Sequence, residues 1–188
     1  MAFDAQVYGD VFSDLVSETR LNPLDGGVEN SAVEAKLKAL TVANAFLGKT
    51  VVDQEMADAC ISAVWLYHNF LDASHTISQG IQTNTGSFWH GIMHRREPDF
   101  SNSKYWFRNV GDHPLFDRLN KEAVALAKAA GDAPDFLTSQ TSWDPYEFVD
   151  LCASALSGKS STDALCREIQ QREWELLFDF SYRHAVGA

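Results

Sequence analysis

The chain has 188 residues, of which 45% are hydrophobic and 22% charged, and its formal net charge is -11. That length and composition predict one globular domain with a sizeable core. The acidic balance argues against a nucleic-acid partner, which needs a basic face, and the absence of any run of ~18 apolar residues argues against a membrane partner.

Taken in order, residues 3–20 place Val7, Val11 and Leu15 at helical spacing, with Gly9 as a weak point. Asn22-Pro23 and Asp25-Gly26-Gly27 break the chain. A second helix is expected over 32–47, ended by Gly48. Asp53 can cap a third, over about 54–76, which is apolar on most of its circumference. Such a helix is expected at the centre of the molecule, largely buried. A loop follows at 80–86. The next helix is expected over 87–97 and must stop before Pro98. Ser101 can cap a short helix over 102–110, and Pro114 suits the first turn of one running to about 130. Residues 131–142 read as a loop. Asp144-Pro145 opens a helix to about 156, and Thr162 or Asp163 opens the last, to about 184. No stretch keeps the alternation of a strand. The expectation is an all-α, single-domain bundle over 1–188, with about seven or eight helices.

The window from Trp65 to Pro114 holds five of the six histidines, His68, His75, His90, His94 and His113, and three of the five tryptophans. Between His68 and His113, four acids balance four bases, so the whole negative charge lies outside. Polar groups set among large aromatics are what a small-molecule pocket needs. On one continuous helix His68, Asp72 and His75 share a face at i, i+4 and i+7, and His90, His94 and Glu97 repeat that spacing. Imidazoles and carboxylates are the usual ligands of zinc, iron and manganese. His68, Asp72, His75, His90 and His94 are therefore candidate ligands for a divalent metal. His68, His90, His94 and Glu97 are candidate catalytic acid–base groups. HExxH and the paired ExxH of di-iron bundles are absent. The same histidines also read as a metal-free polar pocket, or as hydrogen-bonded core residues.

Arg95 and Arg108 are candidate clamps for an anionic group, since guanidinium binds carboxylate or phosphate with two donors. Adjacent helical residues diverge by ~100°, so Arg95 and Arg96 cannot both face one pocket. Trp65, Trp89, Trp106 and Tyr105 are candidate substrate-binding walls; core packing is the competing reading for the Tyr105-Trp106-Phe107 run. Cys60, Cys152 and Cys166 are odd in number, far apart and without a CxxC pair. That argues against a disulfide framework and a cysteine zinc site. With no basic and apolar leader at the N-terminus, a cytoplasmic location is expected.

The run TGSFWHGIMHRREPDFSNSKYWFRNVGDHP, with LYHNFLDASHTISQ before it and QQREWELLFDFSYRHA near the end, resembles a family of uncharacterised bacterial proteins with fungal relatives. Trp89, His90, His94, Arg95, Glu97, Pro98, Asp99, Asn102, Tyr105, Trp106, Phe107 and Arg108 fall on its motif positions. The resemblance covers most of the chain from about Asp53 onward and implies no particular activity.

Three functional expectations follow from the residues. One is a cytosolic enzyme acting on a small, anionic molecule through a His/Asp/Glu pocket, with or without a divalent metal. Another is a non-catalytic helical protein that binds a ligand or partner and whose histidines are structural. A metal-storage or sensing role is a third.

Overall fold

The computed structural model describes residues 3–188, and every regular element among them is helical. The α-helices are α1 (Asp10–Val16), α2 (Glu34–Ala39), α3 (Val42–Ala45), α4 (Gln54–Tyr67), α5 (Leu71–Ser78) and α6 (Asn84–Arg96). They continue with α7 (Phe100–Val110), α8 (Phe116–Ala130), α9 (Asp135–Ser139), α10 (Pro145–Leu156) and α11 (Asp163–Val186). Single 3-10 turns lie at Ala5–Tyr8 and Ser31–Val33.

The all-α class is as the sequence predicts, but the α-helices are more numerous: two expected ones are each split in two, the first expected one is broken into a 3-10 turn and α1, and α9 forms within the stretch 131–142 expected as a loop. Gly9, at φ 90, separates the 3-10 turn from α1. Leu40 and Thr41 are extended, and Thr41 exchanges capping bonds with Asn44 to restart the chain as α3. The third break matters most. The expected helix over 54–76 stops at Tyr67, turns through Asn69 at φ 67, and restarts at Leu71. Asparagine is among the few non-glycine residues that enter this left-handed region readily. Its amide is tied down on both sides: Nδ2 donates to the Val28 carbonyl at 2.9 Å, and Oδ1 accepts from Arg96 at 2.7 Å.

The expected central helix is thus two, and the most enclosed element is α6. From Thr85 to Arg96 every residue of α6 is buried. It packs against α4, α5 and α7. Thr83 caps it, accepting from the Gly86 amide at 3.1 Å. A Cβ on Gly86 would lie 2.4 Å from Ile81, so only glycine lets the loop fold back here. Gly91 allows α7 to approach: Ser103 Oγ donates to the Gly91 carbonyl at 2.8 Å, and the Phe107 ring lies over the glycine.

α11 runs across the other side of the core against α4, α8 and α10. Trp174 is buried on it, its indole N–H donating to the Ala63 carbonyl at 3.0 Å, its ring stacked on Phe178. Burial of one such aromatic stabilises the fold by roughly 1.5–3 kcal/mol. α11 also carries Glu173, whose buried carboxylate pairs with Arg95 of α6. That pair, with Arg95 also lying 4.7 Å from the Phe148 ring, fixes the rotation of α6 about its axis.

Candidate metal centre

Fixing α6 in this way points its other face at α5 and α7. His90 and His94, one turn apart, emerge there beside His75 of α5. One ring nitrogen from each of the three lies within 4.8 Å of the other two. The ring centroids are 4.7 Å apart for His75–His90, 5.3 Å for His75–His94 and 4.7 Å for His90–His94. His90 and His94 are buried, while His75 is half-buried.

One nitrogen of each of the two buried rings, Nδ1, is already engaged. His90 Nδ1 lies 2.8 Å from Ser78 Oγ. His94 Nδ1 lies 3.0 Å from Glu97 Oε2, an acceptor that puts the proton on Nδ1 and leaves the lone pair on Nε2. Metal-ligating histidines are held by such outer partners, which set tautomer and ring orientation. The Asn102 amide nitrogen is nearly equidistant from both His94 nitrogens, at 3.1 and 3.4 Å. A group so placed sits by the ring face or its Cε1 edge, off the Nε2 lone-pair axis. We read it as a packing contact that leaves Nε2 free. The Trp106 ring packs on His90, centroids 4.1 Å apart, and walls one side of the cluster.

Burial favours the neutral form of the His90 and His94 rings. Burial pushes His90 down to about 3, with His94 and His75 nearby adding to the effect. Burial also lowers His94, against the opposing pull of Glu97. A neutral imidazole is the form that ligates a metal. A group titrating near 3 is far from the near-neutral value that favours a general base.

Of the expected ligands, the structure brings together His75, His90 and His94 and leaves out His68 and Asp72. The physical reason is the break at Asn69. His68 closes α4, where its Nε2 meets the Leu15 carbonyl at 2.8 Å and its Nδ1 the Asn30 amide at 3.1 Å. With both nitrogens spent, His68 ties α4 to α1 and to the loop before α2, and neither the catalytic nor the ligand expectation fits its place. Asp72 is exposed in the first turn of α5 and lies outside the histidine group. His113 is likewise structural, between Thr85 Oγ1 at 3.1 Å and the Leu115 amide at 3.3 Å.

The anion clamp is not assembled at the cluster. Arg95 is spent on Glu173. Arg96 donates to the Asp25 carbonyl at 2.9 Å and to Asn69. Arg108 is exposed and reaches only the Lys104 carbonyl, at 3.5 Å. Of the four aromatic walls, Trp106 alone touches the cluster through a histidine ring. Trp89 is in the core, donating to Ser181 Oγ at 3.1 Å. Trp65 packs edge-on to Phe70, and exposed Tyr105 edge-on to Trp106. An open groove of about 490 Å³ lies between the N-terminal segment, α8 and α11, and none of the three histidines lines it. Ser78 also belongs to the site, and its position three after His75 on α5 is the spacing that puts both on one face.

No protein family, curated protein or solved structure matches the chain. No helix among the described residues is long and apolar enough to cross a membrane.

Proposed function

We propose that the protein binds one divalent metal ion of the zinc class through His75, His90 and His94. The observation that carries this reading is the convergence of three imidazoles within 4.8 Å, two of them with their outer nitrogens held. Zinc sits ~2.0–2.1 Å from histidine nitrogen, so tetrahedral ligands lie ~3.4 Å from one another. The cluster has to contract by roughly 1.5 Å at most. His75 can supply that movement by side-chain rotation, because it is half-buried and its ring nitrogens make no hydrogen bond to a described residue.

Three protein ligands leave a fourth position open, the pattern of catalytic rather than purely structural zinc sites. A metal held there would act as a Lewis acid, so metal-assisted hydrolysis of a small substrate is the activity class we assign. α6 suits the task, being locked by Arg95 and Arg96 on the faces that do not bear ligands. The test is elemental analysis of the purified, untagged protein beside the His90→Ala/His94→Ala double variant. Near-stoichiometric metal in the first and none in the second supports the site. Absence of metal in both, after reloading with zinc, iron and manganese, overturns it.

A further inference from the structure

The centre depends on His90 presenting one nitrogen and not the other. We propose that Ser78 is a positioning residue that makes this choice. Its side chain is fully buried in the last turn of α5. The Oγ atom lies 2.8 Å from His90 Nδ1 and 3.4 Å from the carbonyl of His75, so its proton can go to that carbonyl or, when His90 carries its own proton on Nε2, to His90 Nδ1. In the polarity that suits ligation through Nε2, the hydroxyl gives its proton to the His75 carbonyl, through a long contact, and accepts the Nδ1–H of His90. That polarity leaves the Nε2 lone pair of His90 free to ligate. It also couples two ligands on different helices: the ring of one is set against the backbone of the other. Glu97 does the corresponding work at His94 with a carboxylate, but it is exposed. Ser78 is sealed from water, so no solvent molecule can replace its hydroxyl without a rearrangement of α5 against α6.

This inference rests on the metal reading, and its test separates the two. The experiment compares wild type, Ser78→Ala and Ser74→Ala. Ser74 is equally buried on the same helix but bonds Ser62, not a ligand, with Oγ–Oγ at 3.0 Å. It is the control for losing any buried serine hydroxyl. In metal-free protein, nitrogen-15 NMR of the His90 ring reads the tautomer directly. Calorimetric titration with zinc then reads affinity. We expect the Nδ1–H tautomer in wild type and Ser74→Ala, and a mixture with Nε2–H in Ser78→Ala. We expect zinc affinity to fall by roughly 10–100-fold in Ser78→Ala with unchanged stoichiometry, the usual effect of losing an outer partner. Ser74→Ala should bind zinc as wild type does even if its melting temperature drops. Equal tautomers in wild type and Ser78→Ala, or equal losses of affinity in the two variants, would overturn the role of Ser78. Failure of wild type to bind zinc while the tautomer still shifts in Ser78→Ala would sink the metal reading and leave the positioning of His90 standing.

Discussion

Glu173→Gln is the substitution that tests most sharply how α6 is held. The change keeps side-chain volume and removes the charge opposite Arg95. Both side chains are buried, at 1% and 0% exposure. Burial alone pushes the Arg95 guanidinium down, and Glu173 is the main group that opposes this. Breaking a buried ion pair from one side typically costs 3–5 kcal/mol, because a desolvated charge is left behind. For a chain of this size each kcal/mol moves the melting temperature by about 2–4 °C, so a drop of roughly 6–20 °C is expected. Arg95 Nε lacks a partner even in the intact pair. The pair is therefore not fully satisfied, and Arg95→Met/Glu173→Leu should recover most of the loss, since apolar replacement of a buried pair is often neutral or better. Urea unfolding followed by far-ultraviolet circular dichroism would measure wild type and both variants. A cost below ~1 kcal/mol for Glu173→Gln would mean the pair behaves as a solvent-exposed one, and the reasoning would fail.

Other expectations follow from single features. Burial, with a smaller contribution from His184 and against the opposing pull of Asp112, holds His113 down at about 4, below its ordinary value. The folded state then binds fewer protons than the unfolded one between about pH 6.5 and 4, so stability present above pH 6.5 is lost as pH falls through that window, and levels off below it. The His113 share is roughly 3 kcal/mol at most, and His113→Gln should flatten the measured slope of unfolding free energy against pH. Gly86→Ala should destabilise by more than 2 kcal/mol or so, because its methyl would meet both the side chain and the backbone oxygen of Ile81 within 2.6 Å; a thermal melt unchanged from wild type would contradict the described loop. Asn69→Ala should destabilise and Asn69→Gly less so, since glycine keeps φ 67 without strain while both lose the bond to Arg96; chemical denaturation of the pair reads the difference.

Much of the fold was legible from local chemistry. Asp53 and Asp144 cap the helices they were expected to cap, each accepting backbone N–H bonds in the first turn. Ser101 was displaced from its expected cap by Asp99 two residues earlier, which accepts from both Asn102 and Ser101. The start of α6 was missed because Thr83 caps it and glycine at position 86 was read as loop rather than as a close approach to Ile81. The error that mattered was at Asn69. An apolar stripe on both sides of it argued for one helix, and periodicity cannot see a three-residue interruption that preserves the apolar count. The bonds that favour the break reach Val28 and Arg96, distant in sequence. His75, His90 and His94 were on the candidate list; what separated them from His68 is tertiary. The partners of the two arginines were hidden for a similar reason. Glu173 and the carbonyl of Asp25 lie far along the chain, and nothing near Arg95 or Arg96 in sequence announces them.

The central claim is the ligand set itself, and calorimetric titration of zinc into His75→Ala and His68→Ala tests it most directly. The two histidines are seven residues apart and were equivalent candidates in the sequence, yet only His75 lies with His90 and His94. Wild type and His68→Ala should each bind one equivalent of zinc, the latter being less stable for want of its bonds to Leu15 and Asn30, and His75→Ala should lose stoichiometric binding at little cost to the melting temperature. Undiminished zinc binding by His75→Ala, or its loss in a folded His68→Ala protein, would contradict the three-histidine centre.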